Sequence, residues 1–407
     1  MMERHNSALA GLKVIDLTGG LAAPSAAMFL AQYGANVIKV ESPHGGDWAR
    51  IISGRSGGHS VFSIYCTLGK RSIAIDLKTA EGKEILWRLL KGADVFMEAF
   101  RPGTIKRFGF GYEAVSKREP QIIYFSLSGF GQVGPMADRP AMDPVLQAFT
   151  GIADENRGIL DNLPKRVEMS AIDMFSGLLA FQAIAMALYE RKSGGAGRYI
   201  ETSLMQGAAL LSSNRMMRSY LERHRSPTRA LSAIFNTVDG AINFSMARPS
   251  DWEPFCEAIG YPELAADSRF ITAEGRSENF NELIQILARM FEQRPTAWFE
   301  ERLSAKQLMN GRVNTYLQFL QEEQVEVSGI ISWLAQPDVS EKMPVPNIPG
   351  LPPFESGSKR AHAPLFGENT IEVLNEYGYS DADISSLLER KIVDVSHPME
   401  SDAASRR

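Results

Sequence analysis

Between residues 12 and 127 short, almost wholly apolar runs alternate with amphipathic stretches. The runs are LKVIDL, ANVIKVE, SIAIDL, ADVFME and QIIYFSL, and residues 24–33 and 79–91 between them carry helical spacing. Strands covered on both faces read as continuous apolar runs, whereas half-exposed strands alternate. The pattern therefore predicts the β-α-β rhythm of a doubly wound α/β domain. Ligands of such sheets bind beyond the carboxyl ends of the strands, which places the chemistry in the loops after Leu17, Glu41, Leu77, Glu98 and Leu127.

Farther along, helical periodicity is expected over 173–192 and 202–223, divided by a glycine-rich reversal, KSGGAGR. FNTVDGAINFSM then reads as a hairpin on Asp239-Gly240, followed by helices near 250–259, 278–293 and 295–305. Prolines at 337, 344, 346, 349, 352 and 353 predict an extended linker, and GENTIEVLNEYGYSDADISSLLER returns to helical spacing. There is no internal repeat.

Composition narrows the function classes. A chain of 407 residues with 44% hydrophobic and 22% charged residues is that of a globular protein with a large core, which excludes a fibrous or low-complexity role. Lysine and arginine number 43 against 48 aspartates and glutamates, a net charge of −5, so no overall positive field draws the chain to nucleic acid or an anionic membrane. An anionic ligand must meet a local basic pocket. Cys66 and Cys256 form no CxxC pair, so a disulfide scaffold and a zinc site are not expected, and a reducing cytoplasm is. The first residues lack a signal-peptide core. Residues 171–188 reach the minimum spanning length, but Asp173, Ser176 and Gln182 interrupt them, so a core helix is expected and no membrane.

Several loops carry residues suited to chemistry. DLTGGLAAP sets two glycines after a strand, with Pro24 at the helix start and Glu41 ending the next strand, yet the GxGxxG spacing of a dinucleotide site is absent. Basic residues gather at Lys70, Arg71 and Lys78 and again at Arg101, Lys106 and Arg107, where they suit a phosphorylated ligand or a solvated surface. SLSGFGQVGP brings Gly129, Gly131 and Gly134, either a close backbone approach to a ligand or a flexible connector, and no GK[ST] follows to make it a P-loop. Asp173 heads the most apolar helix with Gly177 one turn on. It is either a helix cap or a carboxylate nucleophile, with the small residue leaving room for a substrate carbonyl. No G-x-S-x-G elbow is present, and His5, His44, His59, His224, His362 and His397 show no metal-ligand spacing.

Taken together these phrases resemble the family III CoA-transferases, which include formyl-CoA:oxalate and carnitine CoA-transferases and share their fold with α-methylacyl-CoA racemase. The matching text includes LAGLKVIDLTGGLAAP, YGANVIKVESPHGGDWAR, GKRSIAIDLKTAEGKE, ADVFMEAFRPGTIKRFGF, IYFSLSGFGQVGP, IDMFSGLLAFQAIAMALYERKSGGAGRYIETSL and ADSRFITAEGRSEN, over about residues 9–390. The resemblance implies a Rossmann-like large domain over 1–225, a smaller α+β domain over 226–335, and a linker with C-terminal return over 336–407. It also implies a homodimer of two interlocked subunits. No tightly bound cofactor is implied; an acyl-CoA thioester and a small carboxylic acid are the substrates.

In such an enzyme Asp173 would attack the thioester, form a mixed anhydride and then carry coenzyme A as an aspartyl thioester. The resemblance assigns coenzyme A contacts to Leu21, Ala22, Ser42, Ile75, Lys78, Ala99, Phe100, Arg101 and Arg107. It sets Met142, Asp143, Gly129 and Gly131 around the acyl pocket. Ala23, Ser42, Ala99 and Met142 depart from the commoner family pattern, so neither acid is named beyond a dicarboxylate such as succinate as one donor. The other readings are an acyl-CoA racemase on the same scaffold and a non-catalytic CoA-binding subunit. The racemase branch carries a histidine where this chain has Met142, and a thioether exchanges no proton near neutral pH.

Overall fold

The computed structural model describes residues 7–52, 55–56, 59–158, 162–223 and 231–395. His5, His224 and His397 and the expected boundary near 225 lie outside them. The chain divides into two compact units, residues 1–213 with 329–407, and residues 214–328, against the expected 226–335 for the smaller one.

The first unit is built on a seven-stranded sheet. Its strands are β1 (Lys13–Leu17), β2 (Asn36–Glu41), β3 (Arg71–Ile75), β4 (Val95–Glu98), β5 (Ile123–Ser128), β6 (Arg198–Ser203) and β7 (Val393–Asp394). Their spatial order is β7-β3-β2-β1-β4-β5-β6, parallel except for β7, which runs against β3. Strand order reverses between β1 and β4, the switch point where open α/β sheets leave a crevice. Val14, Val37, Val95 and Phe125 are buried on one face of the sheet, and Ile15, Ile38, Phe96 and Tyr124 on the other. Burial on both faces is why these runs are continuously apolar.

Helix α1 (Ala22–Gln32) and helix α2 (Ala171–Lys192) cover the first of these faces. They cross closely, since a Cβ on Gly177 would fall 2.0 Å from Ser25 Oγ and 2.6 Å from the Ala22 carbonyl oxygen. Gly177 therefore makes room for α1 and not for a substrate carbonyl, a correction to the expectation.

Two further expectations are revised. Residues 202–223 are helical in two pieces, α3 (Leu204–Leu211) and α4 (Ser213–Glu222), broken at Ser212, and their first two residues end β6, which pairs with β5 from Ile123–Arg198 to Ser128–Ser203. Its outer half is exposed and polar, which hides a strand from hydrophobic periodicity. The proline-rich stretch is packed structure rather than a linker. Ile331–Leu334 pairs antiparallel with Met343–Pro346, and Leu334, Val345, Phe354, Ala361 and Ala363 are buried with Met28, Ile64 and Leu68. After it, Val373, Leu374, Ile384 and Leu387 join the second face of the main sheet.

The second unit has an antiparallel three-stranded sheet ordered 309–312, 241–245, 232–236. Its core is aromatic: Phe235 stacks on Phe291, Phe244 on Phe255, and Phe291 on Phe299. At the turn, the Asp239 carboxylate accepts the Thr296 N–H at 2.8 Å, a cap on helix Thr296–Ala305 from outside it.

Candidate active site

Charged residues at the carboxyl ends of β1 and β2 build a rigid wall before any ligand is considered. Lys70 meets Asp16 at 2.7 Å, and the Thr18 hydroxyl donates to the same carboxylate at 2.5 Å. Lys39 reaches both Asp47 and the Thr18 carbonyl at 2.8 Å, while the Gly20 and Ala49 amides donate to Asp47 at 2.9 and 3.0 Å. Arg50 grips Glu41 with two 2.7 Å bonds, and Ser72 adds a third. Burial alone would raise the Glu41 carboxyl, but Arg50 outweighs it and holds the group down at about 2. The loop after β1 is thus tied to the segment 42–50. Glu41 is occupied by Arg50 and is no ribose ligand, which agrees with the missing glycine spacing.

Two cavities open along this edge. One, of about 300 Å³, lies among Leu17–Gly19, Ser42, Gly46–Trp48, Ile75–Lys78, Ala99, Phe100 and Phe108. The other, of about 460 Å³, is lined by Leu21–Ala23, Arg101, Leu127–Gly129, Arg139–Met142, Val145, Leu204 and Asp173. Gly19, Trp48, Ala99 and Phe100 belong to both, so the cavities adjoin at the switch point between β1 and β4. Every strand-end loop named from the sequence contributes.

The cavities collect most of the expected site residues. Ser42, Ile75 and Lys78 line the first, Leu21, Ala22, Arg101, Gly129, Met142 and Asp173 the second, and Ala99 and Phe100 both. Arg107 lines neither; it is exposed, with its guanidinium on the Thr104 hydroxyl at 2.9 Å. Gly131 also lies off the cavities, and its N–H is taken by Ser128 Oγ at 3.1 Å, so it offers no oxyanion donor. Of the other bases, Lys70 is consumed by Asp16, and Arg71 pairs with Glu372 and Glu376 at 3.2 and 2.6 Å. Lys106 is exposed and lies 3.7 Å from Glu113.

Asp143, expected around the acyl pocket, is instead a helix cap, and Asp173, read as a cap or a nucleophile, lines the cavity without capping. Asp143 is buried outside the cavity lining, and its carboxylate accepts the N–H groups of Ile172 and Asp173 at 2.7 and 3.1 Å. It caps α2 from a distant segment, because Ser170 at the helix start offers no side-chain cap. The Asp173 carboxylate is thereby freed from capping and accepts no hydrogen bond among the described residues. Burial, with Asp143 adding repulsion, pushes it up to about 7. It is therefore only partly ionised at neutral pH.

Sequence reasoning passed over Trp48, shared by both cavities, and Arg139, which with Arg101 lines the larger one. Trp48 presses on Gly20, whose added Cβ would sit 2.4 Å from the indole, and Gly20 already needs a φ of +83°. Its signal was an aromatic residue in a loop following a strand end. Among the described residues no group of three or more histidine, cysteine, aspartate and glutamate side chains is placed to hold a metal ion.

Comparisons with known proteins show the family. A family model described as CoA-transferase family III matches residues 9–370. The chain is 31% identical to human succinyl-CoA:glutarate CoA-transferase, over 95% of this chain and 90% of the relative. It is 36% identical to acetyl-CoA:oxalate CoA-transferase of Acetobacter aceti, over 71% and 77%. A CAIB/BAIF family protein from Brucella suis has a similar structure, with a TM-score of 0.79 at 28% identity over 91% of this chain and 99% of that one. With a parallel-rich α/β sheet, a cleft at its switch point and a family match over nearly its whole length, the chain belongs to the family III CoA-transferases.

Proposed function

We propose that this enzyme moves coenzyme A from an acyl-CoA thioester to a free small carboxylic acid, with Asp173 as the covalent carrier. The observation that carries the reading is that Asp173 is the one carboxylate among the residues lining the larger cavity, unbonded and partly ionised near neutrality. Its oxygen attacks the thioester carbonyl, the C–S bond breaks, and a mixed anhydride forms as the thiolate leaves. The thiolate then attacks the aspartyl carbonyl, releasing the donor acid and leaving an aspartyl thioester. An acceptor carboxylate displaces the thiolate to form a second anhydride, and thiolate attack on its acyl carbon gives the new thioester and regenerates Asp173. Each step exchanges one acyl bond for another, so no oxidant or metal enters the balance.

The adjoining cavity suits the nucleotide end of the coenzyme, with Lys78 at one cavity and Arg101 at the other as cations for phosphates. Transfer is favoured over racemisation because α-proton inversion needs two proton carriers, and the cavity lining offers Met142 and no histidine beside Asp173. The same reading includes a second copy of the chain. Helix α2 leaves Leu178, Met186 and Tyr189 exposed, and α3 leaves Leu210 and Leu211, an apolar face that interlocked subunits would cover. Analytical ultracentrifugation at nanomolar protein should then show no folded monomer.

Hydroxylamine trapping tests the covalent role. Asp173 should become a hydroxamate, seen by peptide mass, only when acyl-CoA is present, and Asp173→Asn should form none. An unmodified Asp173 during turnover would refute it.

A further inference from the structure

Among the described residues three arginines are buried: Arg50, Arg71 and Arg276. Arg50 carries Glu41, and Arg71 carries Glu372 and Glu376. Arg276, in the second unit and 7% exposed, pairs with no carboxylate among the described residues. Its Nη1 donates to the Phe270 and Ile271 carbonyls at 2.8 and 3.3 Å, and its guanidinium lies over the Trp252 ring at 4.9 Å. Those contacts occupy one edge and one face. The other edge, Nε with Nη2, donates to nothing among the described residues, and unlike the sealed Nε of Arg71 it is open to solvent. Tying down two carbonyls needs only a neutral donor, so that task does not account for a buried charge.

Arg276 lines a cavity of about 340 Å³ within its own unit. Leu231, Met246, Pro249, Phe280 and Leu283 give this cavity an apolar wall, and the Ser277 hydroxyl also lines it. Arg248 is already engaged, since Asp251 accepts its Nε–H at 3.1 Å and its backbone N–H at 2.9 Å. Glu274, exposed on the lining, brings a negative charge. Burial pulls the Arg276 guanidinium below the ordinary arginine value, and Glu274 offsets this only in part. One cationic edge is thus left to be matched beside an apolar wall. We propose that this cavity binds a monocarboxylic acid with an apolar body, its carboxylate held side-on by Nε and Nη2 of Arg276. Two parallel N–H groups fit the two oxygens of a carboxylate. A dianion such as phosphate would bring a second charge to a lining that holds Glu274 and, among the described residues, no further free cation. Every residue named belongs to the second unit, so the proposal does not depend on the transfer reading.

The test is hydrogen exchange read by peptide mass, with no CoA ester present, so that binding in this unit is separated from binding near Asp173. Hexanoate, octanoate and phenylacetate are the probes, with hexanamide as the neutral isostere and inorganic phosphate as the dianion. At about ten times its Kd, at least one of the acids should slow exchange over 246–250 and 270–283 by about tenfold, as a ligand that binds only the closed state does. Arg276→Gln keeps a donor for the two carbonyls and removes the charge. Ala247→Trp leaves Arg276 in place and fills the cavity from its exposed rim, so it decides the matter if the first variant does not fold. Each folded variant should reduce the slowing to below about twofold at the same concentration. Failure of all three acids to slow exchange there, equal slowing by hexanamide or phosphate, or full slowing retained in Ala247→Trp would overturn the proposal.

Discussion

Two groups of buried carboxylates lie within one cleft and are treated in opposite ways. At the ends of β1 and β2, Asp16, Glu41 and Asp47 each meet a cation and two or more further donors, and burial is outweighed until Glu41 sits at about 2. At the head of α2, Asp173 has no cation, its helix amides are taken by Asp143, and burial goes unopposed up to about 7. A carboxylate that holds loops together is surrounded by donors, and one that must form bonds to carbon is left without them. Paired and hydrogen-bonded charges resist reaction because any attack must first break those contacts.

The largest effect should come from removing the unpaired member. Asp173→Asn is expected to lower turnover by about 10⁴-fold, the scale of losing a nucleophile, and retention of more than about a hundredth of the wild-type rate would end the contrast. The same variant should not be less stable. A carboxyl raised in the native state has its favourable contribution complete below about 4 and loses it as pH rises through about 7. The Asn variant should therefore gain on wild type in urea melts at pH 8 and match it near pH 4.

Breaking the paired side should act on folding. Arg50→Met leaves Glu41 buried without its cation and should cost about 3–5 kcal/mol in urea unfolding, much of it recovered by adding Glu41→Met. Because Glu41 is depressed to about 2, its contribution is present above its ordinary value near 4.5 and fades as pH falls toward 2, the reverse of Asp173. A smaller effect is kinetic. With Asp173 reacting as the anion, kcat/KM should fall about tenfold per pH unit below a limb near 7, and a profile flat from pH 5 to 8 would remove it as nucleophile. Least of all, Arg101→Ala should raise the KM for the CoA ester by about tenfold, a charge-assisted contact at the low end of its range. Arg107→Ala, outside both cavities, should change it by less than about threefold, since a solvated surface charge contributes little.

The first five strands and their loops were legible because both faces of that sheet are buried, which writes an unbroken apolar run into each strand. Strand β6 was not, since it lies at the sheet edge with its outer residues polar, and its pairing with β5 alone makes it a strand. Proline content at 337–353 misled for a related reason: a two-stranded ladder tolerates proline wherever its missing N–H is not needed.

What the sequence by itself determined is the succession of buried strands, the loops that must converge past their ends, and an aspartate at the head of an apolar helix. All are carried by local periodicity and by residues adjacent in the chain. Which charges are free to meet a ligand was decided only by the tertiary structure. Lys70 turns to Asp16, 54 positions away, and Arg71 to Glu372 and Glu376, about 300 away, while Asp143 crosses to α2 and Arg101 and Arg139 are left open to the cavity. An ion pair is chosen by proximity in space after the sheet has assembled, and no spacing within a single loop encodes it.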